Sequence, residues 1–141
     1  MNRVMRAVIQ RVSKASVKVD GQIVGAIDMG LCALVSAGKQ DGPADVKWIS
    51  QKIAGLRIFP DDAGKMNLDV RTIGGGALVI SQFTLHGDVR KGKRPGFNAA
   101  MPPDRAAPMI DAVCDALRAD GLNVQTGVFG ADMKVEIHND G

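Results

Sequence analysis

At 141 residues, 45% hydrophobic and 23% charged, the chain has the size and make-up of one globular domain, 1–141, with enough material for a real core. Its net charge of +3 admits a nucleic-acid partner without demanding one. The longest apolar stretch, Leu31 to Val35, is far short of the roughly 18 residues of a membrane span, and Arg3, Arg6 and Arg11 interrupt any signal-peptide core, so a cytoplasmic protein with no membrane partner and with Cys32 and Cys114 as reduced core fillers is expected.

Val4, Arg6, Val8, Gln10 and Val12 alternate with Met5, Ala7, Ile9 and Arg11, which is the period of a strand. Val17-Lys18-Val19 and Gln22-Ile23-Val24 flank Asp20-Gly21, a two-residue hairpin signal, since both turn positions need positive φ. Leu31 to Ala37, bounded by Gly30 and Gly38, reads as a buried strand. After a loop at 39–43, a helix is expected over 44–54, with Val46, Ile49 and Ile53 on one face and Gly55 as its left-handed stop. Leu56 to Phe59 reads as a short strand, Pro60 to Gly64 as a turn, and Met66, Leu68 and Val70 as alternate positions of another strand.

Gly74-Gly75-Gly76 leads into Ala77 to Ile80, a continuous apolar run of the kind buried on both faces of a sheet. The stretch from His86 to Pro102 has no periodicity. Loops of that length are usually functional or disordered, and this one carries Arg90, Lys91, Lys93 and Arg94 with no acid between 89 and 97. Pro103 suits the first turn of a second helix whose buried face is Ile110, Val113, Cys114 and Leu117 and whose stop is Gly121; Pro108 predicts a kink or a later start. Val124 begins a short strand. Met133, Val135 and Ile137 alternate with Lys134, Glu136 and His138 in the last. Seven or eight strands and two helices predict an α+β domain: a curved, partly closed, mostly antiparallel sheet or barrel with both helices outside.

The central apolar run ends on Ser81, Gln82 and Thr84 around Phe83. Buried unpaired, such groups cost about 1–3 kcal/mol each, so they must find partners or line a cavity. His86 and His138 are isolated and no Cys/His cluster has ligand spacing, so no metal site is expected. The three glycines precede a strand, which favours a tight turn over a phosphate cradle. A nucleophilic Thr84 needs a base, and His86 is the nearest offered. Phe83 and Phe129 are core positions by default, with a base-stacking surface as the alternative. The basic run reads as a solvated loop or as a phosphate contact.

Taken together, Ala7-Val8-Ile9-Gln10-Arg11-Val12, Gly64-Lys65-Met66-Asn67, Ser81-Gln82-Phe83-Thr84-Leu85, Arg94-Pro95-Gly96-Phe97, Thr126-Gly127 through Met133, and Asn139-Asp140-Gly141 resemble the D-aminoacyl-tRNA deacylase family over essentially the whole chain. The resemblance implies a homodimeric enzyme without a cofactor. It would hydrolyse the ester between a D-amino acid and the terminal adenosine of tRNA, and would act on glycine mischarged onto alanine tRNA. By position it implies that Ser81, Gln82, Phe83 and Thr84 line the pocket beneath that adenosine. Phe129 and Met133 would lie near the adenine, and Ala99 and Ala100 at the wall beside the aminoacyl group. Gly141 matches the glycine of a Gly-cisPro dipeptide that the family inserts from the partner subunit as a chirality filter, and Arg11 matches the arginine that orients it. The family pattern continues past that glycine with the proline and a short strand, so a longer natural chain or an omitted tail is expected.

An aminoacyl ester is already activated. The expected mechanism therefore rests on backbone N–H groups around Phe83 and Thr84 for the oxyanion, with the ribose 2′-hydroxyl activating water and Thr84 serving as wall. Lys91, Lys93 and Arg94 are expected on tRNA phosphates. Two other classes stand beside this one: a non-catalytic RNA-binding or assembly module on the same fold, and an esterase with Thr84 as nucleophile.

Overall fold

The computed structural model describes residues 5–141; Arg3 and the expected strand start at Val4 lie outside them. Among the described residues the strands are β1 (Arg6–Val19), β2 (Gln22–Ile27), β3 (Gly30–Ser36), β4 (Phe59–Pro60), β5 (Met66–Leu68), β6 (Gly76–Ser81), β7 (Asn123–Thr126) and β8 (Met133–Asn139). The helices are α1 (Pro43–Gly55) and α2 (Pro103–Ala119), with one short 3₁₀ turn at Phe83–His86.

β1 organises the sheet. Its first half pairs antiparallel with β3, and its second half with both β2 and β8. It runs unbroken through Ser13-Lys14, where the alternation of apolar residues lapses, because the strand changes partners there. The register against β8 slips between Val12 and Lys14, so Ser13 is the extra residue of a bulge. Asp20 and Gly21 both take positive φ, at 50° and 77°, as the hairpin requires.

Beyond β3 the pairing turns parallel, β3 with β6 and β6 with β7. The order β2-β1-β3-β6-β7 then curls until β2 meets β7. Gly25 makes that closure possible: a Cβ there would press into the Thr126 carbonyl. The result is the expected partly closed, mostly antiparallel barrel with two helices outside.

Both faces of β3 and β6 are buried, which is why these strands read as continuous apolar runs. Leu31, Ala33, Val35 and Val79 face the helices with Ile53, Val113, Cys114 and Leu117. Cys32, Leu78 and Ile80 fill the barrel with Val12, Val17 and Ile27. Burial pushes both the Cys32 and Cys114 thiols up to about 11, away from thiolate chemistry.

Four local expectations need correction. Gly55 is the last residue of α1 and is not left-handed; the chain leaves through an extended Leu56 whose N–H still reaches the Lys52 carbonyl at 3.0 Å. The strand after it shrinks to Phe59–Pro60, and the next to Met66–Leu68. α2 starts at Pro103 and carries Pro108 inside it. That proline lies on the exposed face one turn from the helix start, where water can take the carbonyl it leaves unpaired.

Candidate active site

β6 and β3 end side by side, and both end on serine. Val35 pairs with Ser81 in the parallel ladder, and the Gln82 N–H donates to the Val35 carbonyl at 2.9 Å. That last ladder bond fixes where β6 stops. The chain then folds into the 3₁₀ turn Phe83–His86, so Thr84 is not a strand residue. The turn is closed by Leu85 N–H to Gln82 C=O at 3.2 Å and by Gly87 N–H to Thr84 C=O at 2.9 Å. The leading N–H groups of such a turn, those of Phe83 and Thr84, have no partner within it.

This turn borders a cavity of about 580 Å3. Ser81, Gln82 and Phe83 line it from the end of β6, and Ser36 and Ala37 from the end of β3. The approach to α2 adds Ala100, Met101 and Pro102, the segment before β8 adds Phe129, and the first residue of β8 adds Met133. Phe83 is 54% exposed and Phe129 40% exposed. Neither is the core residue that phenylalanine is by default; both present open ring surface to the cavity.

Six of the residues singled out from the sequence therefore meet here: Ser81, Gln82, Phe83, Ala100, Phe129 and Met133. Thr84 sits just beside them, exposed, with its hydroxyl accepting a bond from the Gln82 amide. His86 does not serve it. The imidazole is buried and its Nδ1 lies 2.6 Å from Ser36 Oγ. The 3₁₀ turn, replacing the extended strand that would have put Thr84 and His86 on one face, is the reason.

Ala99 falls in a neighbouring cavity of about 770 Å3 with Asp88, Arg90, Lys91, Arg94, Gly96 and Asn98. The stretch from His86 to Pro102 is thus not shapeless. Asp88 and Gly96 exchange backbone bonds at 2.8 and 2.9 Å, closing the basic segment into a narrow loop. Asp88 also takes Arg90 in a two-toothed ion pair, with its closest contact 2.7 Å, and this holds the Asp88 carboxyl down at about 2. Lys91, Lys93 and Arg94 remain exposed on the loop.

Arg11 and Gly141 meet each other away from the cavity lining. Arg11 Nε donates to the Asp140 carbonyl at 2.8 Å and Nη1 to the Ile58 carbonyl at 2.6 Å. A Cβ on Gly141 would collide with the Arg11 Nη2 atom.

Sequence reasoning missed Ser36 and the contact that Phe97 makes, and it offered His86 to Thr84 where the structure pairs it with Ser36. Ser36 was findable by the logic that picked Ser81, since it too closes a buried apolar run. Nothing local to Phe97 announces that its ring meets Phe83. Among the described residues no group of three His, Cys, Asp or Glu side chains is placed to hold a metal ion, and no helix is long and apolar enough to cross a membrane.

Known proteins supply the last observation. The chain is 58% identical over 140 residues to a D-aminoacyl-tRNA deacylase of Sorangium cellulosum, covering 97% of this chain and 92% of that one. It is 56% identical over 137 residues to the D-aminoacyl-tRNA deacylase of Anaeromyxobacter dehalogenans, again covering 97% and 92%. Among solved structures, the c-Myc DNA Unwinding Element Binding Protein superposes with a TM-score of 0.90 at 37% identity, over 97% of this chain and 93% of that one. The family model described as D-Tyr-tRNA(Tyr) deacylase matches residues 8–141, which takes in the cavity lining, the loop beside it and all but the first two residues of β1. With that span and this identity to its members, the chain belongs to the D-Tyr-tRNA(Tyr) deacylase family.

Proposed function

We propose that this protein hydrolyses the ester between a D-amino acid and the 3′-terminal adenosine of tRNA. The observation that carries the reading is the end of β6 and the Phe83–His86 turn, bordering an open cavity in a chain of this family. In the reading, Phe129 and Met133 receive the adenine, Ser81 and Gln82 hold polar edges of the nucleotide, and Ala100 walls the aminoacyl group, with Ala99 behind it on the side of the basic loop.

Water adds to the ester carbonyl, and the N–H groups of Phe83 and Thr84 take the negative charge that develops on its oxygen. Removing one such donor typically costs about 10²–10³ in rate. The 2′-hydroxyl of the ribose relays a proton from the attacking water to the departing 3′-oxygen. The products are the free amino acid and tRNA with its terminal diol restored. No protein base is called for, which suits a Thr84 hydroxyl engaged by Gln82 and a His86 engaged by Ser36.

Selection works by exclusion. A wall that clashes with an L side chain passes D-residues and cannot refuse glycine, so glycyl-tRNA(Ala) is a substrate too. In a homodimer, Gly141, held by Arg11, reaches the partner's cavity and not its own. The half-exposed Val8 and Trp48, beside a groove lined by Met5, Arg6, Ala7 and Leu85, give such a dimer an apolar face to cover. Lys91, Lys93 and Arg94 contact acceptor-strand phosphates. The site of action is the cytoplasm, where aminoacyl-tRNA is found.

A second reading, nucleic-acid binding without catalysis, draws on the name of the solved relative and on the same basic loop. One experiment separates the two: D-tyrosyl-tRNA and L-tyrosyl-tRNA are incubated with the purified protein and the released amino acid is followed. Release of D-tyrosine with L-tyrosyl-tRNA left intact supports the esterase. Binding without release supports the second reading, and equal release of both contradicts selection by handedness.

A further inference from the structure

The cavity-side turn is gripped at its carbonyls. Gln82 C=O and Thr84 C=O accept from Leu85 and Gly87 N–H groups. Leu85 C=O accepts from Arg6 Nη1 at 2.8 Å, and Phe83 C=O accepts from Ser36 Oγ at 3.4 Å. Two of these four come from side chains on other strands, Arg6 from β1 and Ser36 from β3. Ser36 does more than its share. The same hydroxyl lies 2.6 Å from Nδ1 of His86, the last residue of the turn. Ser36 and His86 are 2% and 3% exposed, so water does not compete for the bond between them.

We propose that Ser36 is a positioning residue for the reaction: it clasps the turn at its first and last residues, Phe83 and His86, and so fixes the N–H groups of Phe83 and Thr84 at the cavity wall. The hydroxyl carries one hydrogen and two acceptor lone pairs. With hydrogen on Nδ1, the ring donates to Oγ and Ser36 donates to Phe83. With Nδ1 bare, Ser36 donates to the ring. Only the tautomer with hydrogen on Nδ1 lets the one hydroxyl serve both ends, so the clasp requires Nδ1–H. It acts at a distance from the ester, through main chain that β6 alone would leave held by one ladder bond. The inference rests on the esterase reading above for its rate effect, while its structural half can be read without substrate.

The test uses the whole protein and four variants. Ser36→Ala is expected to lower kcat about tenfold, the scale of one lost buried hydrogen bond, with KM within twofold. Ser36→Thr, which keeps the hydroxyl, restores most of the rate. His86→Asn, which keeps an N–H at the reach of Nδ1, retains more rate than His86→Leu. In the absence of substrate, the backbone amide NMR signals of Phe83 and Thr84 should shift and exchange faster with solvent in Ser36→Ala, while those of α2 stay put. Unchanged kcat together with unmoved Phe83 and Thr84 amides overturns the proposal. A fall of about 10³-fold or more in Ser36→Ala also overturns it, since that is the scale of a nucleophile removed. Should no variant and no parent hydrolyse D-esters, the amide signals still decide whether the clasp exists, and only the esterase reading fails.

Discussion

The ring of Phe97 stands edge-on to that of Phe83, with centroids 5.1 Å apart and planes at 67°. One ring belongs to the turn at the cavity and the other to the end of the basic loop. The basic loop is therefore seated on a residue of the turn that borders the cavity.

Replacing Phe97 with Ala should loosen that seat. Edge-to-face pairs contribute about 0.5–1.5 kcal/mol beyond their buried area. Thermal unfolding should shift down by a few degrees, and kcat/KM on D-tyrosyl-tRNA should fall about three- to tenfold. Phe97→Leu, which restores bulk without the ring edge, should recover stability more fully than rate. Full activity in Phe97→Ala would show that loop and turn work independently.

Thr84→Ala removes a hydroxyl that already accepts from Gln82, while the His86 Nδ1 atom lies against Ser36. Single-turnover hydrolysis should stay within about tenfold of the parent. A loss of about 10³-fold, the scale of a missing nucleophile or base, would return threonine to the chemistry.

The loop itself has a built-in acid limit. Arg90 holds the Asp88 carboxyl below its ordinary value of 3.8, at about 2, so the pair favours the folded loop at every pH above about 4. That contribution fades as pH falls from about 4 toward 2 and is gone below it. In Arg90→Ala, NMR titration of Asp88 should return toward the ordinary carboxylate range; an unmoved titration would mean the backbone bonds from 88–90 hold it alone. Removing Lys91, Lys93 and Arg94 together should flatten the salt dependence of tRNA binding, each lost phosphate contact taking about 0.7–0.9 off the log-log slope. An unchanged slope would leave them a solvated loop.

Gly25→Ala tests the barrel. The new methyl group would press on the Thr126 carbonyl, which is backbone and cannot swing away, and would sit 3.3 Å from Leu78 Cδ1. Denaturant unfolding should show a loss of about 1–3 kcal/mol, the usual range for an overpacked core. A variant as stable as the parent would mean β2 and β7 do not close as described.

Much of this was readable from the chain. Asp20-Gly21, the two-face burial of Leu31 to Val35 and Ala77 to Ile80, and the buried stripe of α2 are local signals, and each produced its element. So did the Ser81–Leu85 stretch, whose polar end pointed to a cavity. What escaped was non-local. Thr84 and His86 look like partners two residues apart until the 3₁₀ turn separates them and Ser36, fifty residues away from His86, takes the imidazole. Arg90 looks like part of a free basic cluster until Asp88 folds back onto it. Pro108 looks like a helix breaker until its exposed face and early position make the lost bond cheap. Distances in space decided each case, and no spacing along the chain encodes them.

The central claim is that a cavity walled by main chain and small polar groups breaks the ester with the RNA supplying the reactive hydroxyl. Single-turnover rates on D-tyrosyl-tRNA ending in 2′-deoxyadenosine, acylated at the 3′-oxygen, test it most directly. The account predicts that hydrolysis all but stops while binding persists. Undiminished cleavage of the deoxy substrate would contradict it and place the activating group in the protein.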